Sequence, residues 1–276
     1  MGRTEAGSAA DLAVVIPVHN EQANIGPLIE EVDRAFAGSP WRIEIVVVND
    51  GSTDGTAGVL RAAGVGRPHL RIVDHRRNRG QSASLLSGVT AASAAWIATL
   101  DGDGQNDPAD LPALWARIAD GGARRQRTMI AGHRRDRKDT WLRRTSSRIA
   151  NAVRWTLLRD HTPDTGCGLK IFERQMFLSL PHFDHFHRFL PALARRAGGE
   201  VESVPVRHRP RLSGASHYGV GNRLWVGLVD VLGVLWLGRR AEPWRVDADT
   251  RSVADRREAE HPDAVHPEAE HKDLGE

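Results

Sequence analysis

The chain has 276 residues, 40% of them hydrophobic, which suits one large domain with a substantial core. Its single cysteine, Cys167, excludes an intramolecular disulfide and a multi-thiolate zinc site, and it fits a reducing compartment. The net charge of +3 hides an asymmetry: residues 241–276 hold 11 acidic and 5 basic residues, whereas residues 124–159 hold 12 Lys/Arg and only 2 Asp. Such a basic block calls for an anionic partner, whether nucleic acid, anionic lipid or a phosphorylated substrate.

In chain order, LAVVIPV at residues 12–18 is a continuous apolar run, the pattern of a buried parallel strand. Asn20 precedes a helical stretch in which Ile25, Leu28, Ile29, Val32 and Phe36 recur on one face. A second strand over 43–48 ends in Asn49-Asp50-Gly51-Ser52, and Ser52 or Thr53 is the expected cap of a helix running to about Ala62. A third strand covers 70–73, and a helix rich in small residues covers 80–92. A fourth strand, 96–100, runs into Asp101-Gly102-Asp103-Gly104, after which Pro108 opens another helix. Further on, the pattern predicts a strand at 128–131, a helix at 141–158 and a short strand at 169–172. A helix near 189–197, a strand at 201–206, a glycine-bearing loop at 207–221 and an interrupted helix at 219–237 follow. No internal repeat is visible. Strand and helix alternate four times with short connections, which implies an α/β fold: a mostly parallel, Rossmann-like sheet flanked by helices. Such sheets bind ligands beyond the carboxyl ends of their strands, where the Asp50 and Asp101/Asp103 loops both fall.

Two carboxylates one residue apart at a strand end suit a hard divalent cation, Mg²⁺ or Mn²⁺, whose shell is completed by water and phosphate oxygens. Asp103 is the expected direct ligand, and Asp101 is expected to hold a nucleotide ribose or a metal-bound water. A cation there would stabilise a diphosphate leaving group. Asp50 and Glu21 are carboxylates able to accept from a base or ribose, and Pro17 lies at the end of the first strand. Asp164, in DTGCG, is a candidate to hold sugar hydroxyls or orient the reacting centre. In the basic block, Arg134, Arg143 and Ser147 form a candidate phosphate clamp, since guanidinium groups match phosphate oxygens bidentately. A phosphate acceptor needs no general base, because its second pKa is about 6. Arg209, Arg211, Ser213, Ser216, His217 and Tyr218 make a second polar cluster, on a loop suited to closing over a diphosphate. Cys167 reads as a packed thiol. His182, His185 and His187 lack a standard zinc spacing and alternate with Phe183, Phe186 and Phe189, as an amphipathic wall would.

The strings VVIPVHNEQANI, VVVNDGSTDGT, NRGQSASLLSG, LDGDGQNDP, RRTSSRIAN, DTGCGLKIFER and SGASHYG resemble glycosyltransferase family 2 of the GT-A fold. Within it they are similar to the polyprenol-phosphate sugar synthases, of the dolichyl-phosphate mannose synthase type. The resemblance covers residues 12 to about 240. It implies that Pro17, Glu21 and Asp50 contact the nucleotide, that Asp101, Asp103 and Gln105 surround nucleotide and metal, and that Arg134, Arg143 and Ser147 hold the acceptor phosphate. The loop near Arg211 would close on the donor. It further implies inverting in-line transfer of a hexose or N-acetylhexosamine from a GDP- or UDP-linked sugar to a polyprenyl phosphate. His19 stands where the family usually carries tyrosine, Asn49 where an acid is common, and His217 where lysine is frequent.

The expected organisation is a flexible start over 1–10, a catalytic domain over 11–240 and a disordered acidic tail over 241–276. Within the domain, 11–120 would bind the nucleotide and 121–240 the acceptor. The segment 219–238, with Trp225, Trp236 and flanking arginines, reads as a candidate interfacial helix. No targeting signal is apparent, and no apolar run reaches the roughly 20 residues of a membrane span. The expected place is therefore the cytoplasmic face of the membrane, held peripherally by anionic lipid or a membrane partner. Rival readings are a family 2 enzyme acting on a sugar hydroxyl, with Asp164 as base, and a nucleotidyltransferase. VIPVHNEQAN lacks the basic residues expected of a nucleotidyltransferase. A nucleic-acid binder would leave the Asp101–Asp103 loop unexplained, so no nucleic-acid partner is expected.

Overall fold

A computed structural model describes residues 10–119, 128–134, 162–210 and 230–237. Seven strands, β1 (Leu12–Val18), β2 (Ile43–Asp50), β3 (Leu70–His75), β4 (Trp96–Thr99), β5 (Thr128–Arg134), β6 (Lys170–Glu173) and β7 (Glu200–Val206), form one sheet. Their order is β3-β2-β1-β4-β6-β5-β7. The first four run parallel, β6 runs antiparallel to both β4 and β5, and β5 pairs parallel with β7. The helices are α1 (Ile25–Phe36), α2 (Thr56–Gly64), α3 (Gln81–Ala91), α4 (Leu111–Ala119), α5 (Arg174–Ser179) and α6 (Leu190–Arg196). Residues 230–237 are also helical.

Strand periodicity divides the core. Val14, Ile16, Ile45 and Val47 point to one face, where they meet the stripe Ile25, Leu28, Ile29, Val32 and Phe36 of α1 and Leu111, Leu114, Trp115 and Ile118 of α4. Ala13, Val15, Val46 and Ile97 point to the other, against Leu85 and Val89 of α3, Phe177 of α5 and Leu190 and Leu193 of α6. Burial of both faces is why β1 and β2 read as unbroken apolar runs. Gly88 of α3 permits close packing on this second face, since a Cβ there would fall 2.4 Å from Val15 Cγ1.

Several boundaries differ from the sequence reading. β2 continues to Asp50, β3 to His75 and β5 to Arg134, because each extension still has a ladder partner on a neighbouring strand. α2 starts at Thr56, not beside Ser52 or Thr53. Those two residues are used elsewhere: Asn20 N–H donates to Ser52 Oγ at 3.0 Å, and Thr53 N–H donates to Asn20 Oδ1 at 2.8 Å. Pro108 opens a single 3₁₀ turn, capped by the Asp107 side chain, that leads directly into α4. The expected helix at 141–158 lies outside the described residues, as does most of 219–237.

Candidate active site

The carboxyl ends of β1, β2 and β4 lie side by side in the sheet, so three loops meet there. The β1 and β2 loops are sewn together. Asn20 takes the left-handed conformation at φ 57°, which asparagine tolerates, and Glu21 N–H donates to Thr56 Oγ1 at 3.0 Å. Glu21 Oε2 accepts from Asn24 Nδ2 at 2.6 Å, tying it to the start of α1. His19 Nδ1 lies 2.8 Å from the Asp50 carbonyl.

Asp50 is 3% exposed, and its carboxylate organises the next loop. Oδ1 accepts from His75 Nδ1 at 2.7 Å and Arg79 N–H at 2.9 Å, while Oδ2 accepts from Gly80 N–H at 2.8 Å. His75 Nε2 lies 2.9 Å from Ser87 Oγ on α3. With the Nδ1 proton directed at the carboxylate, Nε2 is left to pair with the serine hydroxyl. Gly51 must be glycine, since at φ 61° a Cβ would stand 2.4 Å from the Arg77 backbone. The loop that Asp50 holds delivers Gln81, whose Nε2 donates to Asp101 Oδ1 at 2.9 Å. The two acidic loops, fifty residues apart in sequence, are thus linked through residues 79–81.

Asp103 Oδ1 accepts from Gln105 N–H at 3.1 Å, which places Gln105 in the Asp103 turn. Gly102 fits against β1: a Cβ would lie 2.5 Å from Val18 Cγ1 and 2.9 Å from the Pro17 carbonyl. Gly168 fits equally closely on the other side, where a Cβ would lie 2.2 Å from Asp101 Cγ and Oδ2. Burial pushes the Asp101 carboxyl up to about 6, and the neighbouring Asp103 charge adds to the rise; Lys170, Arg134 and the Gln81 hydrogen bond oppose it.

Asp164 and Arg134 form a bidentate pair, with Nε–Oδ2 at 2.6 Å and Nη2–Oδ1 at 2.8 Å. Both are largely buried, at 7% and 14% side-chain exposure. The sequence reading gave Asp164 a sugar or reaction role and Arg134 a phosphate role; the structure joins them to each other. Arg143, Ser147 and Arg211 lie outside the described residues. Arg209, read as part of a donor-closing cluster, donates from Nη2 to Glu31 Oε2 at 2.7 Å and to the Asn106 carbonyl at 3.2 Å. Its neighbour Arg207 pairs with Asp110 at 2.9 Å. His182 packs its ring against Phe177 and Phe186, and His187 Nδ1 lies 2.8 Å from Ser82 Oγ.

Sequence reasoning missed His75, Gln81, Thr99 and Lys170. Lys170 carried a signal, being the charged member of an otherwise apolar run, GLKIF. Gln81 carried none beyond its place at a helix start.

The residues present fit a divalent cation. Asp101 and Asp103 are hard oxygen donors; burial first, and the Asp103 charge second, raise the Asp101 carboxyl, and a dication would favour its ionised form. Among the described residues no group of three or more His, Cys, Asp or Glu side chains is placed to hold a metal.

A mostly parallel sheet with acids gathered at the carboxyl ends of its parallel strands defines a Rossmann-like scaffold for a nucleotide-linked substrate. The family described as Glycosyl transferase family 2 matches residues 13–180. The chain is 35% identical over 248 residues to the dodecaprenyl-phosphate galacturonate synthase of Rhizobium johnstonii, covering 88% of this chain and 72% of that protein. It is 33% identical over 211 residues to the undecaprenyl-phosphate 4-deoxy-4-formamido-L-arabinose transferase of Edwardsiella ictaluri, covering 76% of this chain and 63% of the relative, so less than two thirds of the latter's length. Among solved structures, glucosyl-3-phosphoglycerate synthase of Mycobacterium tuberculosis, in complex with Mg²⁺ and uridine diphosphate, superposes with a TM-score of 0.61 at 17% identity, covering 83% of this chain and 79% of that one. Mannosyl-3-phosphoglycerate synthase of Rubrobacter xylanophilus gives 0.62 at 14% identity, covering 86% and 78%. These likenesses show the shared GT-A fold. The chain belongs to glycosyl transferase family 2 and is a glycosyltransferase, and the curated relatives named here are polyprenyl-phosphate sugar transferases.

Proposed function

We propose that this glycosyltransferase moves a hexose or N-acetylhexosamine from a nucleotide diphosphate to a polyprenyl phosphate, with inversion, at the inner face of the cell membrane. The observation that carries the reading is the crowded pair Asp101 and Asp103, set at the strand ends beside the Asp50 loop. The acceptor class is supported by the relatives' names, both of which specify a polyprenyl phosphate. Uridine diphosphate and Mg²⁺ in a structural neighbour support a nucleotide diphosphate, UDP- or GDP-linked, and a divalent ion.

Asp103 would hold the ion directly, and Asp101, fixed by Gln81, would hold the ribose or an ion-bound water. When bound, Mg²⁺ or Mn²⁺ supplies positive charge against the departing diphosphate. Pro17, Glu21, Asp50 and Gln105 would form the nucleotide's surroundings, with Arg211 closing over the donor. Arg134, Arg143 and Ser147 would hold the acceptor phosphate, offsetting its repulsion from the donor diphosphate. Asp164 has both oxygens engaged by Arg134, an arrangement that favours a phosphate acceptor, which needs no base, over a sugar hydroxyl, which does.

Among the described residues no helix is long and apolar enough to cross a membrane. Leu232 and Trp236 are 54% and 58% exposed on the helical segment 230–237, which supports a peripheral contact with lipid. The test is a radiolabelled transfer assay crossing UDP- and GDP-sugars with short polyprenyl phosphates, with Mn²⁺ and with chelator. Transfer is expected to require both polyprenyl phosphate and the ion; transfer only to sugar hydroxyls, or undiminished transfer in chelator, would refute the reading.

A further inference from the structure

Lys170 is a buried cation that the reading above does not use. It opens β6 and is 4% exposed, with Thr99 of β4 and Ala131 of β5 as its neighbours in register. Its ammonium donates to the Cys167 carbonyl. Thr99 Oγ1 donates to the next carbonyl, that of Gly168, at 2.5 Å. Two adjacent peptide oxygens of the 164–168 turn are therefore strapped to the sheet from below. The same turn carries Asp164, held by Arg134, and places Gly168 directly against the Asp101 carboxylate.

A purely structural role explains this poorly. Burying an ammonium costs several kcal/mol unless opposite charge and hydrogen bonds offset it, and methionine would fill the space without that cost. Burial lowers the tendency of Lys170 to hold its proton, and the neighbouring Cys167, Asp101 and Asp164 oppose that fall. Lys170 and Arg134 both offset the charge of Asp101, and Arg134 is in addition paired with Asp164.

We infer that Lys170 is a positioning residue for the donor site: it fastens the 164–168 turn so that Gly168 sets the place of Asp101. The inference rests on the proposed use of Asp101 in nucleotide or ion binding. It implies that a residue buried beneath the site governs affinity for the metal–nucleotide complex.

The test is calorimetric binding of UDP and of GDP to the full chain in MnCl₂, with thermal melting of each variant. Lys170→Met should weaken binding of whichever nucleotide the wild type prefers by roughly 10–100-fold, the range for residues that orient a metal's ligands. Its melting temperature should not fall, since an apolar isostere replaces a buried charge. Lys170→Arg, which keeps charge and donor, should restore binding to within about threefold, a rescue that a simple packing role would not give. Thr99→Val should shift binding in the same direction as Lys170→Met. Unchanged or tighter binding by folded Lys170→Met would overturn the inference; if that variant does not fold, unchanged binding by Thr99→Val does so. Wild-type protein that binds neither nucleotide with Mn²⁺ would bring down the functional reading itself, and this inference with it.

Discussion

Gly168→Ala isolates the geometry of the acidic loop from its chemistry. The added Cβ would stand 2.2 Å from Asp101 Cγ and Oδ2, whereas ordinary contact begins near 3.4 Å, so one side must retreat by more than 1 Å. Gly168 cannot easily do so. Its carbonyl accepts from Thr99 at 2.5 Å, and the next residue, Leu169, accepts from Gly132 N–H at 2.9 Å. Asp101 is the freer partner, held at its tip by Gln81. The backbone at Gly168 is not in the left-handed region, so the effect is steric and the folding cost should stay within about 1–3 kcal/mol. Misplacing a positioning group by about 1 Å costs on the order of 100-fold in rate. Turnover at saturating donor and acceptor should therefore fall about 100-fold while circular dichroism and the melting transition report a folded protein. Gly58→Ala on α2, where a Cβ meets nothing within 4 Å, is the control and should leave turnover unchanged. A folded Gly168→Ala enzyme with turnover within threefold of wild type would refute the reasoning.

Asp103→Ala should remove most turnover and leave the melting temperature within a few degrees, because its proposed partner is the ion; near-normal turnover at saturating substrates would sink that role. Arg143→Ala should raise the acceptor KM more than the donor KM, and equal effects on both would count against the acceptor clamp. His187 predicts a pH effect on stability. Burial, with the charges of Lys170, Arg188 and His185 adding to it, holds the imidazole down to about 3, against 6.5 for the unperturbed side chain. Its contribution is therefore complete above pH 6.5 and is lost as pH falls toward 3, amounting to about 1–2 kcal/mol by pH 5 once partial exposure is allowed for. His187→Asn keeps a hydrogen-bonding group near Ser82 but does not titrate. Urea denaturation at pH 7.5 and pH 5 should show a smaller loss for the variant, and equal losses would show that His187 is not the group responsible.

The parallel half of the sheet was legible because β1 and β2 are buried on both faces and so leave unbroken apolar runs, each ending in a polar loop. The Asp101–Asp103 pair was legible for the same reason: a strand end fixes where the acids emerge. β6 was harder. Four residues give no usable period, and nothing local records that the strand runs antiparallel between β4 and β5. The Asp164–Arg134 pair joins residues 30 apart, and each side chain alone reads as a ligand-facing group. Gly168 looked like a turn residue; its close fit against Asp101 depends on a contact 67 positions away that no spacing rule encodes. Ser52 and Thr53 satisfied the local rule for a helix cap, but Asn20 offered them partners across the crevice.

The line of hydrogen bonds and backbone from Ser87 through His75, Asp50 and residues 79–80 to Gln81 and Asp101 has a consequence for engineering. On the proposed roles, nucleotide binding and reaction chemistry would share one tether, so grafting a foreign β2 loop to change the base would also drag on the acids at β4. A chimera that retains activity would need to import α3 and the end of β3 together with that loop, as a single interchangeable cassette.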